Sequence, residues 1–71
     1  MLLRSPYVEH VEGPIWELRA EFGGRVFYFA HSGRRFVLLH GYRKKSQKAP
    51  RREIETALRR WEDVLRRESD G

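Results

Sequence analysis

The sequence predicts an α+β fold, a three-stranded antiparallel β-meander followed by one C-terminal amphipathic α-helix, in a single domain over residues 1–71. Three observations carry that expectation. Apolar and polar residues alternate from Ile15 to Phe22, the period of a half-buried strand. Two glycine-bearing breaks, Gly23-Gly24 and Ser32-Gly33, cut the first half of the chain into strand-length pieces. Beyond Pro50 the apolar residues change to helical spacing.

Residues 1–13 form a lead-in with little pattern. Ser5-Pro6 favours a turn, and Tyr7, Val8 and Val11 fit either a short helical turn or an extended approach. Gly13-Pro14 licenses a strand start, and the sheet is expected over residues 14–43. In its first strand Trp16, Leu18, Ala20 and Phe22 fall on one side, with Glu17, Arg19 and Glu21 on the other. The apolar side is the expected core side, which makes Trp16 a core residue. Gly23-Gly24 suits a two-residue turn, where positive φ is required. Arg25 to His31 is apolar on both faces, as expected of a strand covered on both sides. His31-Ser32-Gly33-Arg34 reads as a turn, leaving His31 exposed. Arg35 to Tyr42 then sets Val37 and Leu39 on one face and Phe36, Leu38 and His40 on the other.

Residues 44–49 are a basic joint, and the helix is expected over residues 50–67. Pro50 suits its first position, where the missing N–H costs nothing. Ile54, Ala57, Leu58, Trp61, Val64 and Leu65 make one apolar stripe. Glu53 and Glu55 near the start, with Arg66 and Arg67 near the end, complement the helix dipole. One helix covers one face of such a sheet. Large apolar residues remain on the other face, a mark of an interaction surface that a homo-oligomer or a partner helix would satisfy.

A chain of 71 residues buries only about 60% of its unfolded surface, so its core is small. With no cysteine, disulfides and thiolate metal sites are excluded. No apolar run spans a membrane and no signal peptide stands at the start, so the expected compartment is the cytoplasm, with no membrane partner. The net charge of +5 is unevenly placed: Arg4, Arg19, Arg25 and Arg34 cancel Glu9, Glu12, Glu17 and Glu21, and the surplus begins at Arg35. Such a localised surplus points to an anionic partner, nucleic acid foremost.

The densest part is Tyr42 to Arg52, where Arg43, Lys44, Lys45, Lys48, Arg51 and Arg52 stand without one acidic residue. Cations at a strand-to-helix joint converge on phosphate, and the first helical turn adds N–H donors. Ser46 and Gln47 can hydrogen-bond sugar or base edges, while Tyr42 offers a face for a splayed base. The same residues also read as a solvated basic face. Arg19 and Arg25 flank the first turn and form either a second cationic wall or ordinary pairs with neighbouring glutamates. His10, His31 and His40 lack metal-ligand spacing, and no phosphate loop, nucleophile elbow or other cofactor motif occurs. His40 is either a hydrogen-bonded structural histidine or an acid/base group beside the joint.

Three blocks carry a resemblance. Ile15-Trp16-Glu17-Leu18-Arg19, Arg25-Val26-Phe27-Tyr28-Phe29, and Val37-Leu38-Leu39-His40-Gly41-Tyr42-Arg43-Lys44-Lys45-Ser46-Gln47-Lys48-Ala49-Pro50 resemble the HigB-like, phage-related branch of the RelE/ParE toxin superfamily. Tyr42 stands where that branch usually has Phe, and Ser46 where it has Thr. The resemblance implies a toxin of a type II toxin–antitoxin pair, with a helix-turn-helix antitoxin as partner. It implies an endoribonuclease acting on ribosome-bound mRNA, needing neither metal nor cofactor. Carried over by residue, Arg19, Arg25, Lys44 and Lys45 become the catalytic candidates, and Lys48, Arg51 and Arg52 the grip on the RNA backbone. Members of that branch usually begin with a helical pair ahead of the first strand, which this sequence is expected to lack. Two other functions fit the same resemblance: a non-catalytic RNA- or antitoxin-binding remnant, and a gyrase-directed toxin of the ParE type.

Overall fold

A computed structural model describes residues 8–20, 23–33, 35–44 and 49–70. Four strands, β1 (Val8–Glu12), β2 (Ile15–Arg19), β3 (Gly24–His31) and β4 (Arg35–Arg43), precede one helix, α1 (Arg51–Asp70). The strands form an antiparallel meander in the order β1-β2-β3-β4. The expected class holds, but the sheet has four strands rather than three. The extra strand lies in the lead-in, where β1 pairs Val8 with Leu18 and His10 with Trp16. As an exposed edge strand it has little apolar alternation to read.

The helix covers one face only, packing on β3 and β4. Beneath it lie Ile15, Phe27, Phe29, Leu39 and Ala57, all buried, with Ile54, Leu58, Trp61 and Val64 against them. Ala57 is fully buried where the helix meets the sheet residues of this cluster. Trp61 meets Phe29 edge-on at 6.4 Å. Leu65, the last residue of the expected stripe, is left exposed. The helix starts one residue later than expected and runs on to Asp70. Pro50 is outside it, its carbonyl accepting from the N–H groups of Glu53 (3.0 Å) and Ile54 (3.3 Å).

Two expectations about faces are corrected. In β2 the covered side is that of Ile15 and Glu17, whereas Trp16 is 40% exposed on the open face. Both parities of this strand carry apolar residues, so alternation alone does not choose the core side. Correspondingly, β3 is not covered twice: Phe27 and Phe29 face the helix, while Val26, Tyr28 and Ala30 belong to the open face. That face also carries Phe36 (66% exposed) and Leu38 (67%), with Tyr28 and Phe36 edge to face at 5.5 Å.

The second correction is a β-bulge. Tyr28 pairs with Leu38 but Phe27 pairs with His40, leaving Leu39 as the extra residue of β4. Beyond it the parity reverses. His40 and Tyr42 therefore share the helix-side face with Val37 and Leu39, instead of lying with Phe36 and Leu38.

The β2–β3 connection is wider than a two-residue turn. β2 ends at Arg19, the Ala20 N–H donates to Gly24 C=O at 2.8 Å, and Gly24 is already in β3. Glu21 and Phe22 lie outside the described residues. Gly23 has φ +80°, and its carbonyl accepts from the Lys44 N–H at 2.8 Å, fastening the end of β4 to this loop. A β-carbon there would meet the Lys44 carbonyl oxygen at 3.4 Å. Gly23→Ala is expected to cost about 1–2 kcal/mol, the usual left-handed penalty for an L-residue, read as a lower urea midpoint with unchanged slope.

Candidate functional site

The register of the sheet places the candidate residues in two neighbouring rows on the helix-side face. Arg19 pairs with Arg25, and Arg25 with Tyr42, so these three stand in line across β2, β3 and β4. The next row is Glu17, Phe27 and His40. Lys44 follows Tyr42 on the same side, held by the bond to Gly23.

At the centre is Glu17, only 3% exposed. Its Oε2 accepts a hydrogen bond from the Tyr42 hydroxyl at 2.9 Å. Its Oε1 lies 3.8 Å from Arg25 Nε and 3.8 Å from Lys44 Nζ. A carboxylate is tolerated this deep because it is paired and hydrogen-bonded. Sequence reasoning missed it as a site residue, placing Glu17 on the polar side of its strand. The available signal was the short spacing to Ile15 and Arg19, which share its parity.

Arg25 is 15% and Lys44 8% exposed at the side chain, so neither is a solvated surface charge. Arg25 also donates through Nη1 to the Gly24 carbonyl at 2.8 Å, while its Nε is shut off from solvent with no acceptor among the described residues.

Tyr42 is not a free stacking platform. Its ring packs on Phe27 at 5.1 Å and lies parallel to His40 at 6.1 Å. Burial raises its phenol above the ordinary 10.0, reinforced by the bond to Glu17 and by that carboxylate's charge. The fold thus favours the neutral phenol. That stabilisation is complete below the unfolded value and declines as pH rises past about 10 toward the folded value. Tyr42→Phe is accordingly expected to lose stability less steeply than wild type between about pH 10 and 11 in urea melts, and absorbance at the phenolate band should show one tyrosine ionising late.

His40 binds at both ring nitrogens: Nε2 lies 2.5 Å from Glu53 Oε1, and Nδ1 is 3.3 Å from Arg60 Nη1, which also donates to the Leu39 carbonyl at 3.2 Å. These contacts clamp β4 to the first and third turns of α1. His31 behaves similarly, half-buried and 2.6 Å from Glu68 Oε1, rather than exposed.

Of the expected RNA-binding residues, Arg51 is engaged by carboxylates. It makes a two-pronged bond to Glu12 (2.5 and 2.9 Å) and another to Glu55 (3.3 Å). This bond holds the Glu12 carboxyl below its usual range. Arg43 is exposed on the parity of the open face, and Arg52 is exposed on the first turn of α1. Lys45, Ser46, Gln47 and Lys48 lie outside the described residues. Among the described residues, no group of three or more His, Asp or Glu gathers as a metal site, and no helix is long and apolar enough to cross a membrane.

Taken together, the fold and site define a two-layer α+β protein whose sheet ends in a row of cations arranged about one buried carboxylate. The chain belongs to the phage-derived protein Gp49-like family (DUF891), whose model matches residues 1–62, a family of toxin-like proteins. No curated protein matches the chain.

Proposed function

We propose that the protein is a HigB/RelE-like toxin of a type II toxin–antitoxin system, an endoribonuclease that cuts ribosome-bound mRNA and so inhibits translation in the cytoplasm. The observation that carries this reading is the alignment of Arg19, Arg25 and Lys44 at one end of the helix-side face. Membership of the Gp49-like family supports it.

Cleavage without a metal proceeds by attack of a ribose 2′-OH on the adjacent phosphorus, breaking the bond to the 5′ oxygen. The reaction needs a base for the hydroxyl proton, an acid for the leaving oxygen and cations for the charge that builds on phosphate. Arg25 and Lys44, fixed and partly desolvated, provide the charge stabilisation. Lys44, with Lys45 next in sequence, provides the exchangeable protons, and Arg19 widens the cationic row. Lys48 and Arg52 grip the backbone. The partners of this function are mRNA, the ribosome and a helix-turn-helix antitoxin. The open apolar sheet face suits protein contact, including a second copy of the chain.

A second reading rests on the carboxylates that engage Arg51, Arg25 and Lys44: a non-catalytic module binding RNA or antitoxin. The test is a cleavage assay on ribosome-bound message in a translating extract. Cuts at defined positions support the nuclease. Salt-sensitive RNA binding without cuts would move the function to the binding module. DNA damage with message intact would indicate a gyrase-directed toxin.

A further inference from the structure

The buried carboxylate has a role that the cationic row alone does not explain. Glu17 supplies one negative charge where Arg25 and Lys44 supply two positive ones. Both contacts, at 3.8 Å, are ion pairs too long to be hydrogen bonds, which for N–H···O lie at about 2.9 Å. Arg25 Nε, closed off from solvent, keeps its donor uncommitted among the described residues. Glu17 itself cannot swing away to serve either cation better, because Tyr42 holds its other oxygen at 2.9 Å. Tyr42 in turn is fixed by Phe27 and His40.

We infer that Glu17 is a positioning residue, an internal counter-anion that holds Arg25 and Lys44 about one carboxylate oxygen and weakens the binding of a phosphate there by like charge. This inference rests on the nuclease reading for the identity of the phosphate, a phosphodiester of RNA. Lys44, held to Glu17 at 3.8 Å by charge alone, keeps its N–H donors for it, and the net surplus of one charge on the cluster matches the single charge of a diester. Before RNA arrives, the carboxylate prevents their mutual repulsion from opening the site. Once RNA is bound, it opposes tight ground-state and product binding while keeping the cations aligned for the transition state.

Glu17→Gln tests this, since the amide keeps the shape and still accepts from Tyr42 but carries no charge. Expected is a split: KM for ribosome-bound message falls by about threefold or more as repulsion is removed, while kcat falls by about tenfold or more as Arg25 and Lys44 lose alignment. Tyr42→Phe, which frees the carboxylate but keeps the ring, should lower kcat in the same direction by less. A merely structural role would lower the amount of folded protein and leave KM unmoved. Equal or raised KM in Glu17→Gln, with circular dichroism showing an intact fold, overturns the inference. If Glu17→Gln does not fold, Tyr42→Phe decides, and an unchanged kcat in that variant overturns the inference.

Should the wild-type chain make no cuts, the nuclease reading fails separately. The inference is then decided by inorganic phosphate titrated against folded protein. Tighter binding in Glu17→Gln than in wild type supports the counter-anion, and equal or weaker binding overturns it.

Discussion

Cells producing the Lys44→Ala, Lys45→Ala double variant are expected to keep growing under conditions where the wild-type chain arrests them. In the cleavage assay, cuts should fall by about 10²- to 10³-fold, the range for removing a fixed charge-stabilising donor from a closed site. Lys44 carries the stronger structural case. Its amine is nearly enclosed beside Glu17, and its backbone is tied to Gly23. A mobile surface lysine would be replaceable by its neighbours, and a fixed one is not. The single Lys44→Ala variant should therefore account for most of the loss, and Lys44→Arg, longer and planar in its head group, should restore little. Full toxicity of the double variant would remove the joint from the chemistry.

Phe27→Ala should have the largest effect on stability. The ring is fully buried and touches both sides of the site, at 5.1 Å from the Tyr42 ring and 6.5 Å from that of His40. Truncating such a residue costs about 3–5 kcal/mol, against a total of about 4–10 kcal/mol for a domain of this length. A large part of the variant should be unfolded without denaturant, visible as a missing native baseline in urea. Phe36→Ala, on the open face and 66% exposed, is the matched control and should shift stability by about 1 kcal/mol or less.

The contrast between these two phenylalanines shows what the sequence could and could not disclose. The helix was legible because its apolar stripe persists over several turns, a long-range regularity that exposed charges do not blur. Strands β2, β3 and β4 were legible from alternation and glycine punctuation. The edge strand β1 was not, since Val8, Glu9 and His10 are all exposed and nothing selects an alternating pattern there. The choice of covered face was also hidden. Trp16 and Leu18 on one parity outweigh Ile15 on the other, yet the helix settles over Ile15 and leaves Trp16 half in solvent. In the site, the pairing of Arg19 with Arg25 was legible in their shared parity, while Lys44 was singled out by the resemblance and not by its place beside Glu17. Glu17 did not stand out, because a glutamate on the polar side of a strand looks solvated until the folded sheet brings cations from two other strands to it. His40 could be placed near the joint but not among its partners, Glu53 and Arg60, which come from a helix reached only after the chain reverses.

The bulge at Leu39 decides which surface of the domain becomes electrically active. A strand has only two phases, and one surplus residue switches the chain from one to the other. Above Leu39 the helix-side phase is greasy. Below it, the same phase carries His40, Tyr42 and Lys44. Were Leu39 instead paired as an ordinary residue of the ladder, every charged residue of the joint would be kept but printed on the reverse of the sheet. Glu17 would then face a glycine and an arginine in the opposite phase, and the apolar platform of Phe36 and Leu38 would end in lysine. The spelling of the motif from His40 onward would be unaltered while its meaning was inverted, so in this small protein the one-residue offset of the ladder carries as much functional information as the motif itself.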